Sequence, residues 1–327
     1  MAVDLSILIV NWNVCDLLRA CLRSLLASSA FPAEGATPSG LRVGRWAIEI
    51  LVVDNASQDG SVEMVGNEFP QVTLVESAEN LGFTRGNNLL LRRCRGRYAL
   101  LLNPDTEVHR DAIPRMLDYA EAHPDVAVVG PRLIYGDGRP QPSRRRFPTL
   151  MTAFMESTVL QQWFPHNRWA RHYTLADVPD DVVQEVDWVT GACMLVRRAA
   201  WEAVGLLDEG YFMYSEELDW CRRMADAGWR VVYLPDAVVT HYEDQSSGQV
   251  VAARHIRFQR SKVRYFRKHH GPLQAGVLRA FILGTYLWQL GVETCKYALG
   301  HKRSLRRERM AAYAQVLRSG LTTGEGA

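Results

Sequence analysis

The stretch Tyr98-Ala-Leu-Leu-Leu-Asn-Pro-Asp-Thr106 decides how this chain folds. An unbroken apolar run bounded by Arg97 and Pro104 is typical of a strand that is buried on both faces of a sheet. Proline donates no hydrogen bond to a sheet and restricts the residue before it, so the Asn103-Pro104 step ends the strand. Asp105 is therefore expected just past the carboxyl end of a central strand, the edge at which open α/β sheets bind ligands. A carboxylate there suits a hard divalent cation that also holds phosphates.

The bulk composition is that of an ordinary globular protein. The 327 residues are 47% hydrophobic and 23% charged, which is enough for one large domain or two modest ones. A net charge of +2 gives no argument for nucleic acid as a partner, although the basic residues crowd into the last third of the chain. The six cysteines form no CxxC pair, so we expect free thiols in a reducing compartment and neither zinc nor disulfides.

Neither a signal peptide nor a membrane-spanning helix is expected from the sequence. Residues 1–11 begin like a strand, with an acid at Asp4, and lack the basic region and apolar core of a signal peptide. A spanning helix needs about 20 predominantly apolar residues, and no uncharged run of that length is present.

Residues 3–130 alternate between predicted strands and predicted helices. Apolar runs predict strands over 5–10, 48–53, 72–76, 98–102 and 126–129, and residues at helical spacing predict helices between them. This order is typical of an α/β fold with a mostly parallel, doubly wound sheet and right-handed crossovers. A surface loop is expected over 28–45, and Ser57 is the expected N-cap of the second helix. Four polar residues at strand ends should share one edge of the sheet: Asn11, Asp54, Glu76 and Asp105.

From Pro131 the alternation fails. We expect a turn over 135–138, a basic exposed segment over 143–148, a helix near 150–163, and one strand over 186–197 with a glycine at Gly191. A helix should carry the acid cluster that includes Glu216, Glu217 and Asp219 as far as about residue 228. Two further strands, 229–234 and 237–240, should lead to His241.

The tail from about residue 248 is predicted to be helical and basic, with an apolar stretch over 280–292. This stretch of about 13 residues is shorter than the ~20 needed to span a bilayer. It is either a docked core helix or a helix that lies in the plane of the membrane surface, attracted to anionic lipids by its basic neighbours. The second interpretation is favoured.

In their order along the chain, the strand ends and several short motifs resemble an inverting glycosyltransferase of family 2 with the GT-A fold. The nearest resemblance is to bacterial rhamnosyltransferase-like members. Any single motif is weak, whereas the ordered set, which covers about residues 4–245, is specific. The resembling pieces are Ile9-Val-Asn-Trp-Asn13, Val52-Val-Asp-Asn-Ala-Ser57, Asn80-Leu-Gly-Phe83, Gly86-Asn-Asn88, Leu102-Asn-Pro-Asp105, Val189-Thr-Gly-Ala192, Leu207-Asp208, Phe212-Met-Tyr214, Glu216-Glu-Leu-Asp219 and His241.

The resemblance implies a site for a nucleotide-sugar donor. Asp54 would hydrogen-bond the nucleotide base, and Asn11 and Asn13 would lie beside the nucleotide. Other residues would line the donor pocket or approach it closely: Asn80, Gly82, Gly86, Asn87, Asn103 and Gly191.

The resemblance also implies a metal and a catalytic base. Asp105 would be the metal-binding acid of the DxD motif, and His241 would be a further ligand of Mg²⁺ or Mn²⁺. The first acid of that motif is Asn103 here, which leaves one metal carboxylate and predicts weaker retention of the ion. Glu217 stands where the family's acid pair puts the catalytic base, with Glu216 beside it. That pair most often has aspartate in second place, so the choice between the two acids stays open.

An inverting transfer is a single displacement at the anomeric carbon through an oxocarbenium-like state. It needs a cation or donors that neutralise the charge growing on the diphosphate leaving group, which Asp105 and His241 would supply by holding the ion. It also needs a carboxylate that takes the proton of the acceptor hydroxyl, which is the role expected of Glu217.

Each of these residues has a simpler interpretation. Asp105 could be an acid in a turn, Asp54 could form an Asx-turn, and His241 could be an ordinary histidine. One of the acids near Glu217 should only complement the helix dipole. The basic run over 143–148, with Arg144, Arg145 and Arg146, is either a solvated loop or a contact for an acceptor's diphosphate.

The sequence therefore predicts a GT-A domain over 1–245 and a basic helical tail over 246–327. The predicted activity is metal-dependent transfer of a sugar, rhamnose from dTDP-rhamnose by resemblance, to a glycan or a polyprenyl-diphosphate-linked acceptor in cell-envelope polysaccharide synthesis. The expected location is the cytoplasm, at the inner face of the cell membrane; the oligomeric state is not predicted. Two alternatives stay open: a sugar-phosphate nucleotidylyltransferase and a non-catalytic protein that binds nucleotide sugars.

Overall fold

The computed structural model describes residues 2–27, 41–156, 158–242 and 251–322. The described residues form two compact units. The first unit is drawn from 1–147, 178–209 and 216–246, and the second from 148–177, 210–215 and 247–327. These bounds differ from the two segments expected from the sequence, 1–245 and 246–327, which stay a prediction about domains.

Thirteen strands lie in the described part of the chain. They are β1 (Leu5–Asn11), β2 (Arg42–Val43), β3 (Trp46–Asn55), β4 (Thr73–Ser77), β5 (Tyr98–Leu102), β6 (Thr106–Val108), β7 (Val126–Ile134), β8 (Pro140–Gln141), β9 (Arg144–Arg145), β10 (Gln184–Val186), β11 (Trp188–Val189), β12 (Cys193–Arg197) and β13 (Arg230–His241).

Twelve helices lie in the same described ranges. They are α1 (Cys15–Ala27), α2 (Ser61–Glu68), α3 (Gly82–Leu91), α4 (Ala112–Ala122), α5 (Leu150–Met155), α6 (Val159–Trp163), α7 (Arg168–Tyr173), α8 (Arg198–Val204), α9 (Glu216–Asp226), α10 (Val251–His269), α11 (Gly271–Ala298) and α12 (Arg303–Ser319).

The sheet of the first unit has the parallel run that the sequence predicts. β4, β3, β1 and β5 are parallel neighbours in this order. Beyond β5 the strand β12 runs in the opposite direction, and it is followed by β7 and β13, which are parallel to each other. The predicted α/β fold with its run of parallel strands is confirmed. The described sheet as a whole is mixed, because β12 and the short strands β2, β6, β8 and β10 pair antiparallel, which the strand–helix alternation did not indicate.

Burial follows from position in the sheet. Every residue of β1 and β5 is buried, because each of these strands has neighbours on both sides and covering layers on both faces. β4 pairs only with β3 and is partly exposed, as expected for an edge strand. The unbroken apolar runs at 5–10 and 98–102 are therefore explained by two-sided burial.

Several boundaries differ from the predicted ones. Residues 230–241 form one strand with a register shift near its middle, and not two strands. The predicted single strand 186–197 is divided among β10, β11 and β12, with Gly191 in the turn before β12. The loop expected over 28–45 ends in the short strand β2, while 28–40 lies outside the described residues.

Ser57 is not the N-cap of the second helix. α2 begins at Ser61, its N-cap is Gly60 in the left-handed conformation (φ 83°), and no side chain caps it. The hydroxyl of Ser57 is used instead by the β1–α1 loop, as described below. The expectation that 143–148 is exposed is also wrong, because Arg144 is buried and pairs in β9 with β11.

The tail is helical, as predicted, and its apolar part is longer than predicted. The stretch 280–292 lies inside α11, a helix of 28 residues with Pro272 in its first turn. Among the described residues, α11 is the one helix that is long and apolar enough to cross a membrane. The expectation that no helix spans a membrane stays a prediction, because the core helix of a soluble protein meets the same criterion.

The turn before β5 is held by a buried polar network at the other edge of the sheet. Ser6 Oγ donates to Glu49 Oε1 at 2.6 Å and accepts from the N–H of Gly96 at 2.8 Å. A Cβ atom at Gly96 would lie 2.5 Å from both Ser6 N and Tyr98 O, which are backbone atoms of paired strands. Only glycine fits at this position without displacing a central strand.

We predict that Gly96→Ala lowers the free energy of unfolding by about 1–3 kcal/mol, as overpacking in a core does. The matched control is Gly66→Ala on the exposed face of α2, where a Cβ meets no atom within 4 Å and helix propensity favours alanine by up to about 1 kcal/mol. Urea unfolding followed by tryptophan fluorescence measures both variants. Equal midpoints for the two variants would contradict the role assigned to Gly96.

Candidate active site

The polar residues at the strand ends lie at one edge of the first unit, as the sequence predicts. In the register of the parallel strands, Asn11 of β1 lies opposite Asp54 of β3, and Asp54 lies opposite Glu76 of β4. β5 is parallel to β1 and ends just before Asn103, so Asp105 follows at the same edge. The sheet thus gathers side chains that are far apart in the sequence.

Asn11 and Asp54 form a buried network with Ser57. Asn11 Nδ2 donates to Asp54 Oδ1 at 2.8 Å and to Ser57 Oγ at 3.2 Å, and the N–H of Ser57 donates to Asp54 Oδ2 at 2.8 Å. Asn13 has a left-handed backbone (φ 51°), and its N–H donates to Ser57 Oγ at 3.0 Å. These contacts fit the turn interpretation of Asp54, and its contact with a nucleotide base stays a prediction.

The start of α3 is fixed by amide side chains. Asn80 Oδ1 accepts from the N–H of Gly82 at 2.9 Å, and Asn55 Nδ2 donates to Gly82 O at 3.2 Å. Gly82 has a φ of 76°, which favours glycine. A Cβ at Gly86 would lie 2.9 Å from Cγ1 of Val10. Gly86 therefore lets α3 approach β1 closely, which is a packing role that it has whether or not it meets a donor.

Asp105 and His241 are brought together by an antiparallel strand pair. The register of β6 and β13 places His241 opposite Thr106, and His241 Nε2 lies 3.3 Å from Asp105 Oδ1. His241 Nδ1 lies 3.0 Å from Gln141 Oε1 on β8. Because an amide oxygen only accepts, this contact places a proton on Nδ1, and in the neutral imidazole the Nε2 lone pair then faces Asp105. Asn103 Nδ2 lies 3.4 Å from the same nitrogen.

The arrangement fits a divalent cation. Adjacent ligands of an octahedral ion bound at ~2.1 Å are about 3 Å apart, which is close to the 3.3 Å between Asp105 Oδ1 and His241 Nε2. Gln141 supplies the second hydrogen bond that a ligating histidine usually makes. The described residues contain no cluster of three or more His, Cys, Asp or Glu side chains for a metal. Ligands from a donor's phosphates and water would have to complete the shell.

The acid pair begins α9. Glu216 is 3% exposed, and Glu217 is partly exposed. Burial, and then the charge of Glu217, raise the pKa of Glu216 well above its usual range. Burial also raises the pKa of Glu217, whereas backbone hydrogen bonds, that of Gly191 among them, and the charge of Arg145 act in the opposite direction. One oxygen of each carboxyl, Oε2, has no hydrogen-bond partner among the described residues.

Asp219 differs from these two acids. It is fully buried, and its Oδ2 accepts from Arg223 Nε at 2.9 Å within α9. Its ion pair with Arg223 is a structural role within α9, and the expectation that one of the three acids only complements the helix dipole stays a prediction. Glu217 is the more accessible member of the remaining pair.

Gly191 connects the acids to the end of β5. A Cβ at Gly191 would lie 3.8 Å from Cβ of Glu217 and 3.6 Å from the ring of Phe83, which is ordinary contact distance. The next residue, Ala192, accepts a hydrogen bond at 2.9 Å from the N–H of Asn103. Glu217 is therefore held beside the segment that pairs with the end of β5. Asn87 lies in α3 with Phe83, and its Nδ2 donates to Phe83 O at 3.0 Å.

Known proteins are similar to this chain in sequence. The model of "Glycosyl transferase family 2" matches residues 6–202. The N-acetylglucosaminyl-diphospho-decaprenol L-rhamnosyltransferase of Mycobacterium tuberculosis is 30% identical over 250 residues, which are 73% of this chain and 80% of that protein. Rhamnosyltransferase WbbL of Escherichia coli is 29% identical over 173 residues, 49% of this chain and 61% of its own.

The chain belongs to glycosyltransferase family 2. It is a glycosyltransferase with the GT-A fold, and the resemblance drawn from the ordered motifs is confirmed. The fold is also that of a mannosyltransferase from Pyrobaculum calidifontis solved with GDP-Man and Mn²⁺, with a TM-score of 0.54 at 16% identity over 99% of this chain and 87% of that one. Neither a nucleotidylyltransferase nor a non-catalytic binding protein is supported.

Sequence reasoning missed Gln141 at this candidate site, and it offered Arg145 only as a contact for an acceptor's diphosphate. Gln141 orients His241, and Arg145 acts on the charge of Glu217. No local motif marks either one, because both reach the site through long-range strand pairing. Arg144, which the sequence offered as a contact for a diphosphate, donates instead to Val178 O at 2.6 Å and lies over the ring of Tyr233.

We predict that Glu216→Gln changes how stability depends on pH. Because folding raises the pKa of Glu216 above 4.5, its contribution to stability is fully present below that value and is lost as the pH rises towards the folded pKa. Glutamine does not ionise, so the variant does not lose this contribution. Its free energy of unfolding, relative to that of the wild type, should therefore increase as the pH rises from about 4 to about 8. Glu63→Gln, on an exposed position of α2, is the control. Parallel curves of unfolding free energy against pH would show that burial does not hold the proton on Glu216.

Proposed function

We propose that this enzyme transfers rhamnose, with inversion, from a nucleotide donor such as dTDP-rhamnose to a sugar carried on a polyprenyl diphosphate. The product would enter cell-envelope polysaccharide. The observation that carries the proposal is the pairing of Asp105 with His241 at the edge where Glu217 lies beside Gly191. The two rhamnosyltransferase relatives support the choice of sugar, and the mycobacterial one, named for an N-acetylglucosaminyl-diphospho-decaprenol acceptor, supports a lipid-linked acceptor.

Asp105 and His241 would hold Mg²⁺ or Mn²⁺ together with the donor's diphosphate. A bound divalent ion supplies charge neutralisation for the leaving nucleoside diphosphate. Gln141 keeps the proton of His241 on Nδ1, so Nε2 is available without a change of tautomer. Asn103 adds an uncharged amide near this nitrogen, where the usual motif has a second acid.

Glu217 would take the proton of the acceptor hydroxyl. Burial raises its pKa, which increases its affinity for a proton, and the N–H of Gly191 and the charge of Arg145 keep the carboxylate form accessible. Glu216 is more deeply buried, and its raised pKa favours the neutral acid. A neutral Glu216 would leave the charge of the pair on Glu217, which fits the role of the base.

The second unit would lie on the membrane surface. One face of α11 is buried, and its other face exposes Leu273, Val277, Leu287 and Trp288. Trp163, at the end of α6, is 56% exposed and contacts Trp288 edge to face at 6.4 Å. Exposed tryptophan beside aliphatic side chains and basic residues favours the interface of an anionic bilayer. This location would bring the enzyme to a lipid-linked acceptor.

A donor panel tests the reaction. Incubated with Mn²⁺ and a GlcNAc-diphosphate-polyprenol acceptor, the enzyme should transfer sugar from dTDP-rhamnose in preference to UDP-glucose and GDP-mannose, and chelation should stop transfer. Glu217→Gln should lower kcat by about 10²- to 10⁴-fold with little change in the donor KM, because general-base catalysis is lost. Glu63→Gln is again the control. Wild-type turnover in Glu217→Gln would exclude this base, and transfer only from another donor would overturn the choice of rhamnose.

Vesicle sedimentation tests the membrane location. The full chain should sediment with vesicles that contain anionic lipid at low salt, and less so as salt screens the charges. Trp288→Ser should weaken vesicle binding by at least about tenfold, since one buried large apolar side chain contributes 1.5–3 kcal/mol. Val183→Ser removes an exposed apolar side chain of the first unit and should have no effect. Equal binding by both variants would exclude α11 as the contact.

A further inference from the structure

The second unit is strongly basic. In its described residues it has 17 Lys and Arg against four Asp and Glu, a net charge of +13 in a chain whose total is +2. Much of this positive charge lies on α10 and α12. Such a concentration of one sign attracts anions and raises their local concentration.

Three cations of this unit that are largely buried have internal partners. Lys262 pairs with Glu156 at 3.1 Å, and Arg306 pairs with Glu293 at 2.8 Å. Arg279 donates to the backbone carbonyl of Gly320 at 2.6 Å. These contacts follow the rule that a charge taken out of water is paired.

Arg257 and Arg260 on α10 break this rule. Both are partly buried: Nε of Arg260 is buried without a hydrogen-bond partner, and within the described ranges the guanidinium of Arg257 has a ring contact but no ion pair. Burial lowers the pKa of Arg257, which reflects the cost of a desolvated cation without an anion. The two residues are three apart on one helix, so their side chains are neighbours on the same face.

The guanidinium of Arg257 is held in place by an aromatic ring. It lies 4.0 Å from the centroid of Phe212. Stacking on a ring occupies the face of a guanidinium and leaves its N–H edge free for a planar or tetrahedral oxyanion. This pose is suited to a phosphate, since arginine binds phosphate oxygens through two parallel N–H bonds.

Phe212 belongs to the segment that leads into the acid pair. In this segment Tyr214 and Ser215 both have left-handed backbones, with φ of 71° and 65°. Two consecutive non-glycine residues in this region are strained and need external support. Ser261 of α10 supplies it by donating to Met213 O at 2.9 Å. α10 therefore carries both the free guanidinium edges and the support of the segment that precedes Glu216.

We propose that Arg257 and Arg260 bind the diphosphate of the lipid-linked acceptor. The proposal rests on the proposed function for the identity of the acceptor, and on the structure for the phosphate chemistry. The segment offered by the sequence for this task is already engaged: Arg144 bonds to backbone carbonyls, and Arg146 lies 3.4 Å from Asp187. Three sources of phosphate are possible: the acceptor, the donor and lipid headgroups. The experiment distinguishes them.

The test uses the full chain and three variants, Arg257→Gln, Arg260→Gln and, as the control, Lys268→Gln, which removes one charge from an exposed position on the same helix. Each arginine variant should raise the KM for a water-soluble, short-prenyl diphosphate acceptor by about tenfold or more, the loss expected for a charge-assisted hydrogen bond. The KM for the donor and the binding of anionic vesicles should stay within about threefold of the wild type. Lys268→Gln should change none of these quantities.

Direct binding of inorganic pyrophosphate, measured by calorimetry without donor or metal, separates this proposal from the proposed function. The wild type and Lys268→Gln should bind pyrophosphate, and the arginine variants should bind it at least about tenfold more weakly, even if the enzyme proves to use another sugar. A rise in the donor KM alone would assign the arginines to the donor, and a loss of vesicle binding alone would assign them to headgroups; either result overturns the proposal. Arg257→Lys keeps the positive charge but lacks the two parallel N–H donors of a guanidinium. An unchanged acceptor KM in that variant would therefore also count against the proposal.

Discussion

One backbone contact on which the site depends lies between two strands of opposite direction: the hydrogen bond from the N–H of Asn103 to the carbonyl of Ala192. It extends the pairing of β5 with β12 beyond the last strand residue. On one side of this contact the chain continues to Asp105, and on the other side Gly191 packs beside Glu217. Asp105 also depends on the pairing of β6 with β13, which sets it beside His241. In the proposed function these two ladders would position the metal-binding acid and the base.

A second constraint is the cost of burying acids. Glu216 and Glu217 are adjacent, largely removed from water, and each has one carboxyl oxygen without a partner. A fold selected for stability alone would place apolar residues there, so the retained acids point to chemistry. Arg145 and backbone hydrogen bonds, that of Gly191 among them, offset part of the cost for Glu217, whereas only its own backbone N–H offsets the cost for Glu216. The surroundings therefore raise the pKa of both acids, and that of Glu216 further above its usual range.

The parts of the fold that the sequence predicts are those governed by local patterns. Two-sided burial produces unbroken apolar runs, so β1 and β5 are visible in the sequence, and the polar residues that follow them mark the binding edge. The insertion of β12 between β5 and β7 is not visible, because strand neighbours far apart in sequence are chosen by packing and not by propensity. The contact of Gln141 with His241 could not be predicted from the sequence for the same reason. Gln141 reaches His241 through the pairing of β8 with β7 and of β7 with β13.

The small net charge of the chain is the sum of two large charges of opposite sign on different parts of it. A total of +2 combines +13 on the described part of the second unit with −11 on the remainder of the chain. In the proposed function the unit with the acid pair would act on an anionic donor, and Asp105 and His241 would hold a cation there. The basic unit would bind phosphates with its own guanidinium groups. Exposed Trp288 lies on that same basic unit, so the apolar and cationic features that would recognise a lipid diphosphate belong to one unit.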